Sequence, residues 1–166
     1  MRFILVDRVI ELVPGARARA VKCVTLSEDY LADHFPGYAV MPGVLLIESL
    51  AQVGGLLAEV SAKKSDPAER ATDGRESVRR AILAQVDRAK FERMVVPGDR
   101  VELAVTLEQA MEGAARIAGE ATVDGERAAR CTLTFAMRAV PFERVHRERR
   151  ALYEQWTRGL EGVELP

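Results

Sequence analysis

HFPGYAVMPGVLLIESLAQVGG, residues 34 to 55, is a loop rich in Pro and Gly followed by an apolar run. Pro42 is favourable as the first residue of a helix. A helix that is apolar on nearly every side is normally buried. The sequence therefore predicts a long buried helix from Pro42 to about Val60, at the centre of the fold.

The segments that follow this helix alternate in the manner of strands. Apolar and polar residues take turns over 101–108 and 131–137, which predicts strands with one buried face. Asp124-Gly125 is the strongest hairpin signal in the chain, and Glu112-Gly113 is predicted to turn the preceding pair.

The segment before the helix also predicts antiparallel structure. Strand-like residues 2–12 and 17–26 flank Pro14-Gly15, a turn dipeptide. Ser27 is predicted to cap a short helical turn that ends before His34. One central helix and a meander of antiparallel strands indicate an α+β domain whose sheet wraps the helix.

The remaining segments are polar. Residues 61–78 mix charges with Pro and Gly, which predicts a surface connection. Residues 141–166 contain many Arg and Glu residues together with Leu152, Tyr153 and Trp156, which predicts a terminal amphipathic helix packed on the outside. We therefore expect one main domain over 1–140 and a C-terminal extension over 141–166.

Composition limits the classes of function. The 166 residues carry a formal net charge of −1, which provides no general attraction for nucleic acid or an anionic membrane. Cys23 and Cys131 are too few for a disulfide framework and lack zinc-ligand spacing, so both are predicted to be buried thiols. The apolar run at 44–58 looks too short to span a bilayer, and the N-terminus lacks a signal-peptide core. A cytoplasmic protein is expected.

A carboxylate inside the apolar helix is the first candidate for chemistry. Glu48 and Gln52 are four residues apart and share one helix face, so the amide can hold the carboxyl group. Burial disfavours the charged form of a carboxylic acid, which would suit Glu48 to donate a proton. The alternative is that Glu48 emerges at the helix edge and meets solvent or an arginine.

His34 is the second candidate, because a neutral imidazole can accept a proton near physiological pH. Pro and Gly residues could present it rigidly beside the helix N-terminus, where free N–H groups stabilise an oxyanion. The alternative is a structural histidine in a turn. A base, an acid and an oxyanion donor together suit a dehydration. In such a reaction a proton is removed from the carbon next to a carbonyl group, and a neighbouring hydroxyl leaves as water.

These residues carry a family resemblance. The string from His34 to Leu45, HFPGYAVMPGVL, followed by Glu48-x-x-Ala51-Gln52, closely resembles the signature of FabZ-type 3-hydroxyacyl-[acyl-carrier-protein] dehydratases. The resemblance covers roughly residues 3 to 139. It implies a hotdog fold, in which a curved antiparallel sheet wraps a long central helix.

The resemblance also implies roles for individual residues. His34 would take the C2 proton of a (3R)-3-hydroxyacyl thioester, and Glu48 of a partner subunit would protonate the departing hydroxyl. The Gly43 N–H would bind the thioester oxygen, the Val40 carbonyl would orient the imidazole, and Gln52 would position Glu48. Glu rather than Asp at position 48 favours dehydration without isomerisation.

The expected partners follow from the same resemblance. The substrate would be a thioester of acyl carrier protein or of CoA, no metal or organic cofactor would be needed, and the active sites of a homodimer, or of a higher oligomer, would be shared between subunits. A dehydratase of a specialised polyketide or lipid pathway, a hotdog acyl-thioesterase and a non-catalytic acyl-binding protein remain alternatives.

The basic residues of the tail have two interpretations. They could dock an acidic, phosphorylated carrier protein, or they could form a solvated helix face. His146, which lies among them, is predicted to have no partner and no role. The arginines concerned are Arg144, Arg147, Arg149, Arg150 and Arg158.

Overall fold

The computed structural model describes residues 3–65 and 79–166. The strands are β1 (Arg8–Val13), β2 (Arg17–Cys23), β3 (Arg79–Phe91), β4 (Arg100–Met111), β5 (Ala114–Val123) and β6 (Glu126–Ala139). The helices are α1 (Gly43–Ser65) and α2 (Glu143–Trp156), and a short 3-10 turn covers Asp29–Leu31.

The six strands form one antiparallel sheet in the order β1-β2-β4-β5-β6-β3. The predicted hairpins are present. Between β5 and β6, Asp124 and Gly125 both have positive φ, at 51° and 81°, which is the conformation of a two-residue type I′ turn. The chain therefore forms a hotdog fold, an α+β sheet around a central helix, as the sequence predicts.

Helix α1 is the centre of the core. Leu50, Val53 and Leu56 are completely buried against the sheet, where Ile117 and Leu133 are completely buried as well. Each such side chain contributes roughly 1.5–3 kcal/mol by leaving water. The apolar surface of the helix therefore holds the sheet against it.

The helix is longer than the sequence predicts. It begins at Gly43, one residue after Pro42, and continues to Ser65, so residues 61–65 are helical and not part of a surface connection. Ser61 is buried, donates to the Leu57 carbonyl at 2.6 Å and accepts a 2.8 Å hydrogen bond from the Gly15 N–H. These bonds satisfy the Ser61 hydroxyl inside the fold, although the sequence predicts that the surface connection begins at this residue. The rest of the predicted connection, 66–78, lies outside the described residues.

The helix that contains the apolar run 44–58 is longer than the run itself. The helix has a 21-residue stretch, Gly43–Lys63, with mean hydropathy 1.5, which by length and composition could span a membrane. Within the fold, 78% of its most apolar window is buried. Such burial is what a core helix inside a sheet requires.

Two smaller predictions are wrong as well. The short turn at Asp29–Leu31 starts after Glu28 and has no side-chain cap, because the Ser27 hydroxyl pairs with the Thr25 hydroxyl at 2.9 Å instead. Cys131 is buried as predicted, but Cys23, at the end of β2, is exposed. Strand alternation turns its side chain to solvent.

Helix α2 packs against the rest of the fold. Tyr153 and Trp156 are buried, and Arg149 reaches the buried carboxylate of Glu59 on α1 at 3.0 Å. His146 has partners, contrary to prediction: its Nδ1 accepts from Arg80 Nε at 3.0 Å and its Nε2 lies 2.7 Å from the Val140 carbonyl. The imidazole therefore joins α2 to β3.

Candidate active site

His34 is held by the loop that precedes α1. Its Nδ1 lies 2.9 Å from the Val40 carbonyl oxygen, and the Val40 N–H donates to the His34 carbonyl at 2.8 Å. A carbonyl oxygen can only accept, so Nδ1 carries the hydrogen and Nε2 presents a lone pair. The loop thus fixes the tautomer that a general base needs.

The same loop is closed by its own backbone. Phe35 and Tyr38 exchange two hydrogen bonds, at 2.9 and 2.8 Å, around Pro36 and Gly37. Gly37 has a φ of +77°, a conformation that glycine adopts at little cost. The HFPG string therefore makes a tight turn that presents a half-buried imidazole.

Glu48 and Gln52 meet on one face of α1. Gln52 Nε2 donates to Glu48 Oε1 at 3.0 Å, as their spacing of four residues predicts. Glu48 is half-buried. The sequence did not indicate two backbone contacts of the same amide: Leu5 N donates to Gln52 Oε1 at 3.0 Å, and Gln52 Nε2 donates to the Phe3 carbonyl at 3.1 Å.

Gly43 is the first residue of α1, so its N–H has no acceptor four residues back in the helix. The Phe91 ring lies directly against it: a Cβ at position 43 would come within 2.8 Å of Phe91 Cδ1. Any other residue at position 43 would force the Phe91 ring to shift. The N–H and the positive end of the helix dipole are suited to a developing negative charge.

Within one chain the two titratable candidates are not joined. Among the described residues, no hydrogen bond connects His34 to Glu48. The structure has cavities of about 380 Å³, lined by residues of 26–32, and about 130 Å³, lined by residues of 3–5 and 27–30, and neither includes His34 or Glu48.

The surface near these residues is apolar. Several large side chains of the His34 loop, the α1 start and the 91–94 segment are more than half exposed. They are Phe35, Tyr38, Val44, Phe91 and Met94.

The comparisons with known proteins agree with this architecture. Structurally, the chain resembles a dehydratase heterocomplex, ApeI:P, from Xenorhabdus doucetiae (TM-score 0.63, 15% identity, 88% of this chain and 90% of that one). It also resembles a hypothetical thioesterase with coenzyme A from Streptococcus pneumoniae (TM-score 0.58, 11% identity, 80% and 88%). At these identities the likeness defines the class by fold, a hotdog protein.

Sequence relatives define the family. Residues 1–132 match the model of the FabA-like domain. Proteins named 3-hydroxyacyl-[acyl-carrier-protein] dehydratase FabZ are 40% identical over 134 residues in Erwinia tasmaniensis (81% of this chain, 82% of the relative) and 42% identical over 127 residues in Myxococcus xanthus (76% of each). The chain belongs to the FabZ-type dehydratase family of FabA-like domains.

Proposed function

We propose that the protein is a hydro-lyase of fatty-acid biosynthesis that converts (3R)-3-hydroxyacyl thioesters of acyl carrier protein to trans-2-enoyl thioesters. Membership of the FabZ-type family supports this reaction. One observation supports His34 and Glu48 as the catalytic residues: hydrogen bonds hold both side chains in place. The His34 imidazole has its Nε2 lone pair available, and Gln52 supports the Glu48 carboxyl group.

The reaction follows from these groups. His34 Nε2 removes the proton from C2 of the substrate, and the Gly43 N–H stabilises the thioester oxygen as it gains enolate character. Glu48 then gives a proton to the C3 hydroxyl. The C3–O bond breaks, water leaves and the C2–C3 double bond forms. His34 now holds the proton from C2, and transfer of one proton to Glu48 restores the starting state.

The active site is shared between two subunits of a homodimer, with His34 from one subunit and Glu48 of the partner subunit. Strand β3 supports this arrangement because it lies at an open edge of the sheet. It exposes Ile82, Leu83 and Val86, and an unpaired apolar edge favours pairing with another strand. The lack of a hydrogen bond between His34 and Glu48 among the described residues of one chain is consistent with the same arrangement.

The carrier protein and the compartment complete the proposal. The substrate is the thioester of an acyl carrier protein, as in the name of the relatives, and the enzyme works in the cytoplasm. Three of the five arginines of the tail, Arg144, Arg149 and Arg150, are paired with Glu148, Glu59 and Glu154. This pairing favours the solvated-face interpretation of that helix.

The function is tested by hydration of trans-2-enoyl thioesters, which is measured as loss of the enoyl absorbance. We expect turnover on carrier-bound substrate, and His34→Ala and Glu48→Gln should each lower kcat by about 10²- to 10⁴-fold. Glu161→Gln, an exposed site with the same change of charge, is the matched control. A folded wild type without turnover on any chain length would contradict the proposal, as would thiol release without hydration.

A further inference from the structure

The segment just before β1 holds the Gln52 side chain from two sides. Leu5 N donates to Gln52 Oε1 at 3.0 Å, and Gln52 Nε2 donates to the Phe3 carbonyl at 3.1 Å. The second Nε2 hydrogen goes to Glu48 Oε1 at 3.0 Å. Both N–H bonds of the amide and its oxygen are therefore used.

These backbone groups distinguish the two ends of the amide. A backbone N–H can only donate and a carbonyl oxygen can only accept. If the amide were turned over, its NH₂ group would face the Leu5 N–H and its oxygen would face the Phe3 carbonyl. Both contacts oppose that orientation, so the group that Gln52 turns toward Glu48 is a donor.

The segment is itself fixed by the core and by β2. Leu5 and Val6 are buried. The Asp7 N–H donates to the Val21 carbonyl at 2.9 Å, and the Asp7 carboxylate accepts from the Cys23 N–H at 2.6 Å. None of these contacts involves Gln52, so the backbone at Leu5 is held independently of the amide that it orients.

We propose that the segment Phe3–Leu5 is a positioning element of the active site, which keeps Gln52 as a donor to Glu48 Oε1 and leaves Glu48 Oε2 as the oxygen that carries the transferable proton. This inference rests on the proposed role of Glu48 as the acid. A carboxylic acid has one O–H, and an oxygen that already accepts an N–H is the poorer place for it.

The orientation matters for proton transfer. With the amide reversed, the Gln52 oxygen could accept the O–H of Glu48, and the proton would be held by the amide and withheld from the substrate. With the observed orientation, the proton on Oε2 is left available to the C3 hydroxyl. Leu5 and Phe3 thus act through Gln52.

Replacing the Leu5 residue by its α-hydroxy acid tests the proposal, since it exchanges one backbone N–H for an ester oxygen and keeps the buried side chain. We expect kcat to fall by about three- to tenfold, the usual weight of one hydrogen bond, with KM within about twofold because the substrate contacts are unchanged. The same acid at Leu26, an exposed leucine after β2, is the matched control.

A double-variant cycle separates positioning from general loosening. In a Gln52→Met background, the ester at position 5 should lower kcat no further, because the amide through which it acts is gone. An equal fall of kcat in both backgrounds would overturn the proposal. Unchanged kcat in the single variant would overturn it as well.

A direct readout does not depend on activity. The chain has four glutamines, Gln52, Gln85, Gln109 and Gln155, and no asparagine, so its side-chain NH₂ signals can be assigned by single substitutions. The Gln52 hydrogens should exchange with water slowly, and the Leu5 ester should accelerate them by about tenfold. Unchanged exchange would overturn the proposal, whereas slow, ester-sensitive exchange in a protein without dehydratase activity would contradict the function alone.

Discussion

Arg80 Nη1 donates a 2.7 Å hydrogen bond to Glu59 Oε2, and both side chains are almost completely buried. The other carboxylate oxygen, Oε1, accepts from Arg149 Nη1 at 3.0 Å and from the Ala81 N–H at 2.9 Å. A buried charge is tolerated when it is paired and hydrogen-bonded. The cluster therefore joins α1, β3 and α2 away from the candidate active site.

Arg80→Met should destabilise the protein strongly. It removes the cation and leaves the Glu59 carboxylate partly uncompensated in the core, which typically costs about 3–5 kcal/mol. Urea denaturation followed by circular dichroism measures the change. Arg150→Met is the matched control, because Arg150 pairs with Glu154 on an exposed face and its loss should cost less than about 1 kcal/mol. Similar losses of stability in the two variants would contradict the inference that Arg80 compensates a buried charge.

Tyr153 lies beside this cluster. Burial raises the pKa of the Tyr153 hydroxyl, and the nearby negative charge of Glu59 raises it further. The Tyr153 phenol therefore stays neutral well above its ordinary titration range. Three charged residues, Glu59, Arg80 and Arg149, and a neutral phenol in one packed region attach α2 to the rest of the fold.

The two cysteines should differ in reactivity. Burial raises the pKa of the Cys131 thiol to about 11, so at pH 8 only about one molecule in a thousand carries the thiolate that reacts. Cys23 is exposed. An aromatic disulfide reagent at pH 8 should modify the Cys23 thiol rapidly and the Cys131 thiol slowly.

The pH dependence has a definite sign. Raising the pH from 8 toward 10 should increase labelling of Cys131. Its thiolate fraction rises about tenfold per pH unit until the pH nears the pKa of about 11. Cys23→Ser should remove the fast phase and leave the slow one. Rapid labelling of both thiols in the native protein at pH 8 would show that Cys131 is accessible.

The sequence indicated much of the fold because the signals are local. The apolar run predicts α1, the alternation of 101–108 and 131–137 predicts β4 and β6, and Asp124-Gly125 predicts a turn that needs positive φ. The Glu48–Gln52 bond follows from spacing on a helix. All these depend on residues close in sequence.

Contacts between distant segments could not be predicted in the same way. Helix α1 contains two carboxylates. The sequence suggests burial for Glu48, yet Glu48 is half-buried and Glu59 is the carboxylate that lies in the core. Its partner Arg80 is 21 residues away and looks like an ordinary surface arginine. The Leu5–Gln52 bond spans 47 residues, and neither residue reveals it alone.

The adjacent glycines of α1 should respond oppositely to substitution. A Cβ at Gly55 would lie 3.8 Å from the Phe135 ring, an ordinary contact, whereas one at Gly54 would lie 3.1 Å from the same ring. Gly55→Ala should raise the free energy of unfolding by about 0.5–1 kcal/mol, because alanine has less backbone entropy to lose in a helix.

Gly54→Ala should lower the same quantity by about 1 kcal/mol, since displacing the buried Phe135 ring costs more than the entropy returns. Each variant is the other's control for helix propensity. Equal shifts of the denaturation midpoint in both would mean that the core around Phe135 accommodates a methyl group.

Complementation between two inactive variants distinguishes a shared active site from one built within a single chain. His34→Ala and Glu48→Gln subunits, carrying different tags, can be co-expressed and the mixed dimers isolated. If His34 of one subunit works with Glu48 of the partner subunit, one of the two sites in the mixed dimer combines both defects and the other is intact.

The mixed dimer should therefore recover about half of the wild-type kcat per dimer, although each parent is nearly inactive. Each parental homodimer, carried through the same two-tag procedure and assayed for hydration, is the control. If the mixed dimer shows no more activity than its parents, both residues act in the same chain.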